Sequence, residues 1–443
     1  MALSSLLALG KHTVTGMLTA GGGQFEDWSA SYRLFERERI DRQALFAPVI
    51  DGVIEQQTPD ERLFIMMDDT LIHKRGKKVF GTGWKRDPLG PHFCSNFMWG
   101  QRFLQTSAAL PDPDMLGRAR AIPIDFKHAP CPIKPNKRAS EEQWDIYRTE
   151  QNKSRISLVG SKKLHELRER VIKDKQIVCA VDGSFTNRTV FSDIPDNTVI
   201  IGRLRKDACL FKAPEESKIT CRGRRRFYGE ALSTPEQIRQ DDTIQWQTVE
   251  AFAAGRRHKF EVKVIDKVRW KGSREQDVRL IIIRPLAYRP RIGAKLLYRD
   301  PAYLICSDTK LPLSQLLQAY LWRWEIELNF RDEKTILGVG EAGVRTPCAV
   351  QSVPALMVAS YAYLLLASHK TVKQKECLPS PKWYTPKSTD RCSTQQILSL
   401  FRSQLWKIGM DSILPHFASK SSDRRSHFNS SSSLYSAVCY AVK

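Results

Sequence analysis

Three carboxylates stand where the chain could do chemistry. Asp69 closes the apolar run Arg62–Asp68 beside Asp68. Asp182 closes Gln176–Val181 and is followed by the flexible Gly183. If the two runs are neighbouring parallel strands, both acids reach the same end of one sheet. Clustered acids at strand ends repel and are costly to desolvate unless a cation sits between them. Magnesium suits that position, since it takes hard oxygen ligands and is commonly held by one or two carboxylates plus phosphate. A third acid is expected from a helix packed against that edge. The stretch Tyr320–Lys334 reads YLWRWEIELNFRDEK. At about 100° per residue, Tyr320, Arg323, Glu327 and Lys334 fall at about 0°, 300°, 340° and 320°, whereas Glu325 falls at about 140°. Glu327 is therefore the acid that shares a narrow stripe with Tyr320, Arg323 and Lys334, and the donors in that stripe suit phosphate.

The elements that would position these groups follow from the hydrophobic pattern. Residues 1–58 read as helical, with Arg33, Arg37, Arg39 and Arg42 interleaved with Leu34, Phe35, Ile40, Leu45 and Phe46. This region is either a DNA-binding head or a helical cap on the main domain. Arg62–Asp68, Phe93–Phe103, Ala121–Phe126, Gln176–Val181 and Thr198–Leu204 read as five strands, with a charged helical stretch at 140–173 after the third. That order is compatible with an RNase H-like α/β domain. Phe260, Val262, Val264, Val268 and Trp270 alternate with charged residues, the period of a half-buried strand. Residues 206–310 then form a β-rich insertion. Helical character returns at 311–370, and residues 371–443 read as a C-terminal helical region with a Ser-rich tail. The division is 1–58, 59–205, 206–310, 311–370 and 371–443.

The 443 residues carry 70 Lys and Arg against 48 Asp and Glu, a formal charge of +22. Such an excess favours a polyanionic partner, nucleic acid before an anionic membrane. The longest apolar run, Ala355–Ala367, is too short for a span of roughly 20 residues and reads as a buried helix. The ten cysteines form no CxxC and no Cys/His knuckle, so free thiols in a reducing cytoplasm are expected. Around the first acid, Lys74 and Arg75 in the basic turn His73–Lys78 are candidates for phosphate contact. Arg222–Arg226 reads either as a DNA-backbone contact or as an exposed loop. Trp270 is read as core, on one strand face with Val262, Val264 and Val268.

Tyr320, Arg323, Glu327 and Lys334 match the pattern Tyr-x2-Arg-x3-Glu-x6-Lys, which resembles the signature of bacterial insertion-sequence DDE transposases of the hairpin-forming type. Asp-Asp-Thr at 68–70 and Asp-Gly-Ser-Phe at 182–185 resemble that family's two other motifs, and the β-rich stretch resembles the insertion before its glutamate helix. The resemblance covers roughly residues 60–370. It implies an RNase H-like mixed sheet and a DNA transposase that cuts element ends and joins them to target DNA. Asp69, Asp182 and Glu327 would hold two Mg²⁺ or Mn²⁺ ions. Tyr320, Arg323, Lys334, Lys74 and Arg75 would contact DNA. The family pattern favours the acid directly before threonine, Asp69, with Asp68 as the alternative, because adjacent strand residues face opposite ways. A homodimer on terminal inverted repeats and a cytoplasmic, nucleoid-associated location are further implications. The rival readings are an inactive or domesticated DNA-binding derivative and a metal-dependent nuclease without strand joining.

Overall fold

The computed structural model describes residues 1–57, 62–87, 96–112, 117–171, 175–214, 226–289, 291, 293–371 and 391–411. Five strands build the central layer: β1 (Leu63–His73), β3 (Phe97–Pro111), β4 (Ala119–Ala129), β5 (Ile177–Val181) and β6 (Thr198–Arg203). The short β2 (Gly83–Arg86) pairs with the start of β3. β1 runs antiparallel to β3 and parallel to β5, while β3–β4 is antiparallel and β5–β6 parallel. The spatial order β4-β3-β1-β5-β6 is that of an RNase H-like fold. β5 is buried at every position, as expected of a parallel strand covered on both faces, which is why it reads as an unbroken apolar run. The second expected strand, read as Phe93–Phe103, continues through Leu110 and Pro111.

The β-rich insertion extends the same sheet. It comprises β7 (Leu210–Phe211), β8 (Gln247–Ala253), β9 (Arg256–Trp270), β10 (Asp277–Ile283), a small β11–β12 pair (Ala287–Tyr288, Leu297–Tyr298) and β13 (Ala302–Cys306). β13 pairs antiparallel with β6 and is followed outward by β10 and β9, giving eleven strands in one sheet among the described residues. The expected single face for Val262, Val264, Val268 and Trp270 is corrected. Ile265 opposes Leu280 and Val268 opposes Val278, so β9 carries one extra residue, with Lys267 at φ 55°. This bulge reverses the alternation. Val262 and Val264 pack with Phe260 and Leu316, and Val268 and Trp270 pack with Phe191 and the larger core.

Helices cover both faces. α1 (Ala2–Leu7), α2 (Val14–Ala20), α3 (Ser29–Glu36) and α4 (Arg42–Ile54) form the N-terminal region. α4 begins at Asp41, whose carboxylate accepts from the Gln43 and Ala44 amides. These helices share one core with the long helix Pro347–Thr371, for Leu6, Met17, Phe35, Phe46 and Val53 cluster with Val353, Met357 and Leu365. They are packed as a cap on the main domain. The helical stretch at 140–173 is two helices, α5 (Glu141–Lys153) and α6 (Ile156–Arg170); α5 opens on a Ser140–Gln143 capping box. Short α7 (Arg188–Phe191) and α8 (Pro235–Gln240) follow, then α9 (Leu313–Trp322), α10 (Glu325–Thr335), α11 (Pro347–Thr371) and α12 (Thr394–Asp411). The apolar helix at 355–367 is longer than its apolar run. α11 spans 25 residues, the one helix among those described that is long and apolar enough to cross a membrane, and protein buries most of it.

Cys131, Cys179, Cys209, Cys306 and Cys348 are free thiols, but Cys392 is disulfide-bonded, against the expectation that all ten are free. Arg222–Arg225 of the basic run and the Ser-rich tail lie outside the described residues.

Candidate active site

The register of β1 and β5 decides which acids meet. Met67 lies opposite Val181, so Asp68 and Asp182 occupy the next row on the same face. That face continues inward through Phe64, Met66 and Val178, on which α9 and α10 pack. Asp182 is half-buried and opens a tight turn in which its carbonyl accepts from the Phe185 and Thr186 amides and the Thr186 hydroxyl. Gly202 on β6 makes room for this turn, since a Cβ there would lie 2.2 Å from Thr186 Oγ1.

The helix carrying the third acid is not continuous. α9 ends at Trp322 and α10 begins at Glu325, with Arg323 and Trp324 in a tightened turn where the Arg323 amide bonds the Tyr320 carbonyl at 3.2 Å. The break leaves Arg323 and Glu327 on one face. Arg323 Nη1 lies 3.1 Å from Asp68 Oδ2, and Nη2 lies 3.3 Å from Glu327 Oε1. The guanidinium thus bridges two of the three acids. Tyr320 sits beside it, half-buried and within the electrostatic reach of Asp182 and Arg203.

The charges in this pocket are strongly perturbed. Burial raises the Asp68 carboxyl to about 7, opposed by Arg323 and reinforced by the charges of Asp69 and Asp182. Glu327 is also raised, by burial first and by Asp182 in addition. Burial lowers Arg323, but Asp68, Tyr320, Asp182 and Glu327 outweigh it and its pKa rises. Burial raises Tyr320 as well. Asp68 and Glu327 thus resist ionising, and a cation beside them would be stabilising.

Asp69, expected to be the first catalytic acid, points the other way. Its carboxylate accepts two bonds from Arg102, 2.7 and 2.9 Å, on the opposite face of β1 beneath α6. The cause is strand alternation, and which of two adjacent acids faces the helix depends on a pairing register that is absent from the sequence. Lys74, expected to contact phosphate, is engaged within the protein. Its ammonium donates to the carbonyls of Gly340 and Ala342, at 2.5 and 3.1 Å, tying the end of β1 to the loop after α10. Arg75 is exposed. Lys334 is near the C-terminal end of α10, its ammonium 6.0 Å from the Phe330 ring centroid, and burial of the ammonium lowers its pKa against the opposing charges of Glu333 and Asp87. The structure therefore brings together Asp68, Asp182, Glu327, Tyr320 and Arg323, and leaves Asp69, Lys74 and Lys334 out of their contacts. Arg203 is a site residue that sequence reasoning missed. It closes β6 as Asp182 closes β5, and that parallel was the available signal.

Among the described residues, no three His, Cys, Asp or Glu side chains already stand at ligating spacing. The donor set nonetheless fits a hard divalent cation. Asp68, Asp182 and Glu327 offer carboxylate oxygens around one pocket, and the raised Asp68 and Glu327 would be relieved by the charge. Arg323 spans two of these groups where such a cation would compete.

A mixed sheet in RNase H order, with acids paired across β1 and β5 and a third on the covering helix, defines a nuclease-type phosphoryl-transfer enzyme. In agreement, a family model described as DDE superfamily endonuclease matches residues 2–275, more than half of the chain, and the chain belongs to that family. The match includes Asp68, Asp69 and Asp182 and ends before Glu327, for which the sequence spacing and the geometry are the support. Among curated proteins, none matches this chain.

Proposed function

We propose that this endonuclease is a DNA transposase that cuts the ends of its element and joins them to target DNA, with Asp68, Asp182 and Glu327 as the catalytic carboxylates. The observation that carries the reading is the Asp68–Asp182 row on adjacent parallel strands, closed by Glu327 through Arg323. Asp68, Asp182 and Glu327 would hold two Mg²⁺ or Mn²⁺ ions, which when bound supply Lewis acidity and an activated water or 3′-hydroxyl. The protein's own part is orientation. Tyr320 and Arg323 face the acids and would position the scissile phosphate, and Arg203 adds positive charge at the same edge. The hairpin-forming subtype is supported by the Tyr320, Arg323, Glu327 and Lys334 spacing. The partner would be DNA with terminal inverted repeats, bound by a homodimer so that two ends are cut together.

Purified protein incubated with DNA carrying its element ends, a supercoiled target and Mg²⁺ should yield both cut ends and joined products, and chelation should stop both. Cut ends without joining would reduce the reading to a nuclease. No cleavage with any divalent cation would remove it.

A further inference from the structure

Beyond the carboxylates, one face of the β2–β3 pair carries aromatic side chains that the core does not use. Trp84 opposes Trp99, and Arg86 opposes Phe97. Paired residues point the same way and alternate along the strand, so all four share a face. Trp84 and Phe97 are 66% and 61% exposed, and Arg86 is exposed. The two indoles meet edge to face with centroids 5.6 Å apart. Trp99 Nε1 donates to the Gly76 carbonyl at 3.2 Å, which fixes the ring beneath the turn bearing Arg75, Lys77 and Lys78. Those three cations are exposed.

The patch is aligned with the proposed active site. Asp68 opposes Gln105, and Trp99 lies six residues earlier on β3, an even number, so it stands on the same sheet face as Asp68. At about 3.3 Å per residue it lies roughly 20 Å from Asp68 along the strands, past the edge to which the acids point. Large exposed aromatics are normally covered or functional. A single-stranded nucleic acid satisfies both halves of this surface, since bases stack on aromatic rings while cations take the backbone. A second protein surface would not call for the surrounding excess of Arg and Lys.

We propose that Trp84, Trp99 and Phe97, flanked by Arg86 and the basic turn, form a stacking platform for unpaired DNA bases beside the cleavage site. The inference rests on the reading of the chain as a DNA-processing enzyme and deepens it by assigning a place for unpaired strand.

The test measures binding of the full chain to a labelled oligothymidine strand and to a blunt duplex of equal length, without divalent metal. Trp84→Ala should weaken single-strand binding roughly five- to a hundredfold, the range of one lost stacked base. Duplex affinity and melting temperature should be unchanged, and Trp84→Phe should restore most of the loss. Arg86→Ala should weaken binding to both DNAs and lower the salt slope. If the wild-type protein binds duplex and Trp84→Ala binds the single strand as wild type does, the platform is wrong and the enzyme reading stands. If the wild type binds neither DNA, both fall. If Trp84→Ala instead turns a dimer into a monomer with unaltered DNA affinity, the patch is a contact between copies and the proposal is overturned.

Discussion

Two neighbouring acids on β1 have opposite fates. Asp68 faces the helices, is pushed up to about 7, and meets Arg323. Asp69 faces α6 and is held by the Arg102 fork. The Asp69–Arg102 pair is largely shielded, at 13% and 29% side-chain exposure, so removing one partner leaves a charge without its counterion. Asp69→Asn should therefore lower stability by about 1–3 kcal/mol in denaturant titration while metal binding at the site persists. Loss of metal binding with unaltered stability would reverse the two roles. The motif Asp-Asp-Thr was legible in the sequence, as was the alternation that makes only one acid useful. The choice between them was not, because it is set by the pairing of Met67 with Val181 across more than a hundred residues of chain.

At the scale of elements, the five core strands and the insertion's β character were readable from apolar runs and period-2 alternation. What the pattern did not contain were local irregularities. The β9 bulge reverses a face, and the turn at Arg323–Trp324 divides an expected single helix. A helical wheel still placed Arg323 with Glu327, because a four-residue spacing survives one tightened turn. Lys334 lies about two turns beyond Glu327 on the same helix, its ammonium near the Phe330 ring. Two elements carry buried ionisable groups that can be tested. Glu333 on α10 is buried and raised to about 8, by desolvation first, with its Oε1 unpartnered. A raised carboxyl binds a proton in the folded state, so its contribution is present below pH ~4.5 and is lost as pH rises through about 8. Thermal or urea unfolding should show stability falling across that window, by up to about 1.4 kcal/mol per pH unit for one group. Glu333→Gln should flatten that part of the curve, and an unchanged pH profile would contradict the assignment. On β9, buried Lys263 donates to the carbonyls of Ile238, Arg239 and Asp241 at the end of α8. Lys263→Met removes three hydrogen bonds from a buried ammonium and should cost at least about 2 kcal/mol, read from the denaturation midpoint.

For the whole molecule, the charge of +22 now has a setting. The acids form a small half-buried centre on one sheet face, and cations such as Arg203, Arg75 and Arg86 lie exposed around or beyond it. The N-terminal helices share the core of α11 and are packed as a cap, so any DNA contact they make would be made from a fixed position. DNA binding by the full chain should fall steeply with salt, the logarithm of affinity declining at about 0.9 per phosphate neutralised. A flat response would detach the basic surface from DNA. Decisive for the account as a whole is the single-turnover cleavage rate of element-end DNA in Mg²⁺ by Asp68→Asn and Asp69→Asn proteins measured side by side. The account predicts a loss of roughly a thousandfold or more for Asp68→Asn, the scale of several kcal/mol in a metal-assisted transition state, and near wild-type cleavage for Asp69→Asn at a temperature where it is folded. The reverse pattern would contradict it.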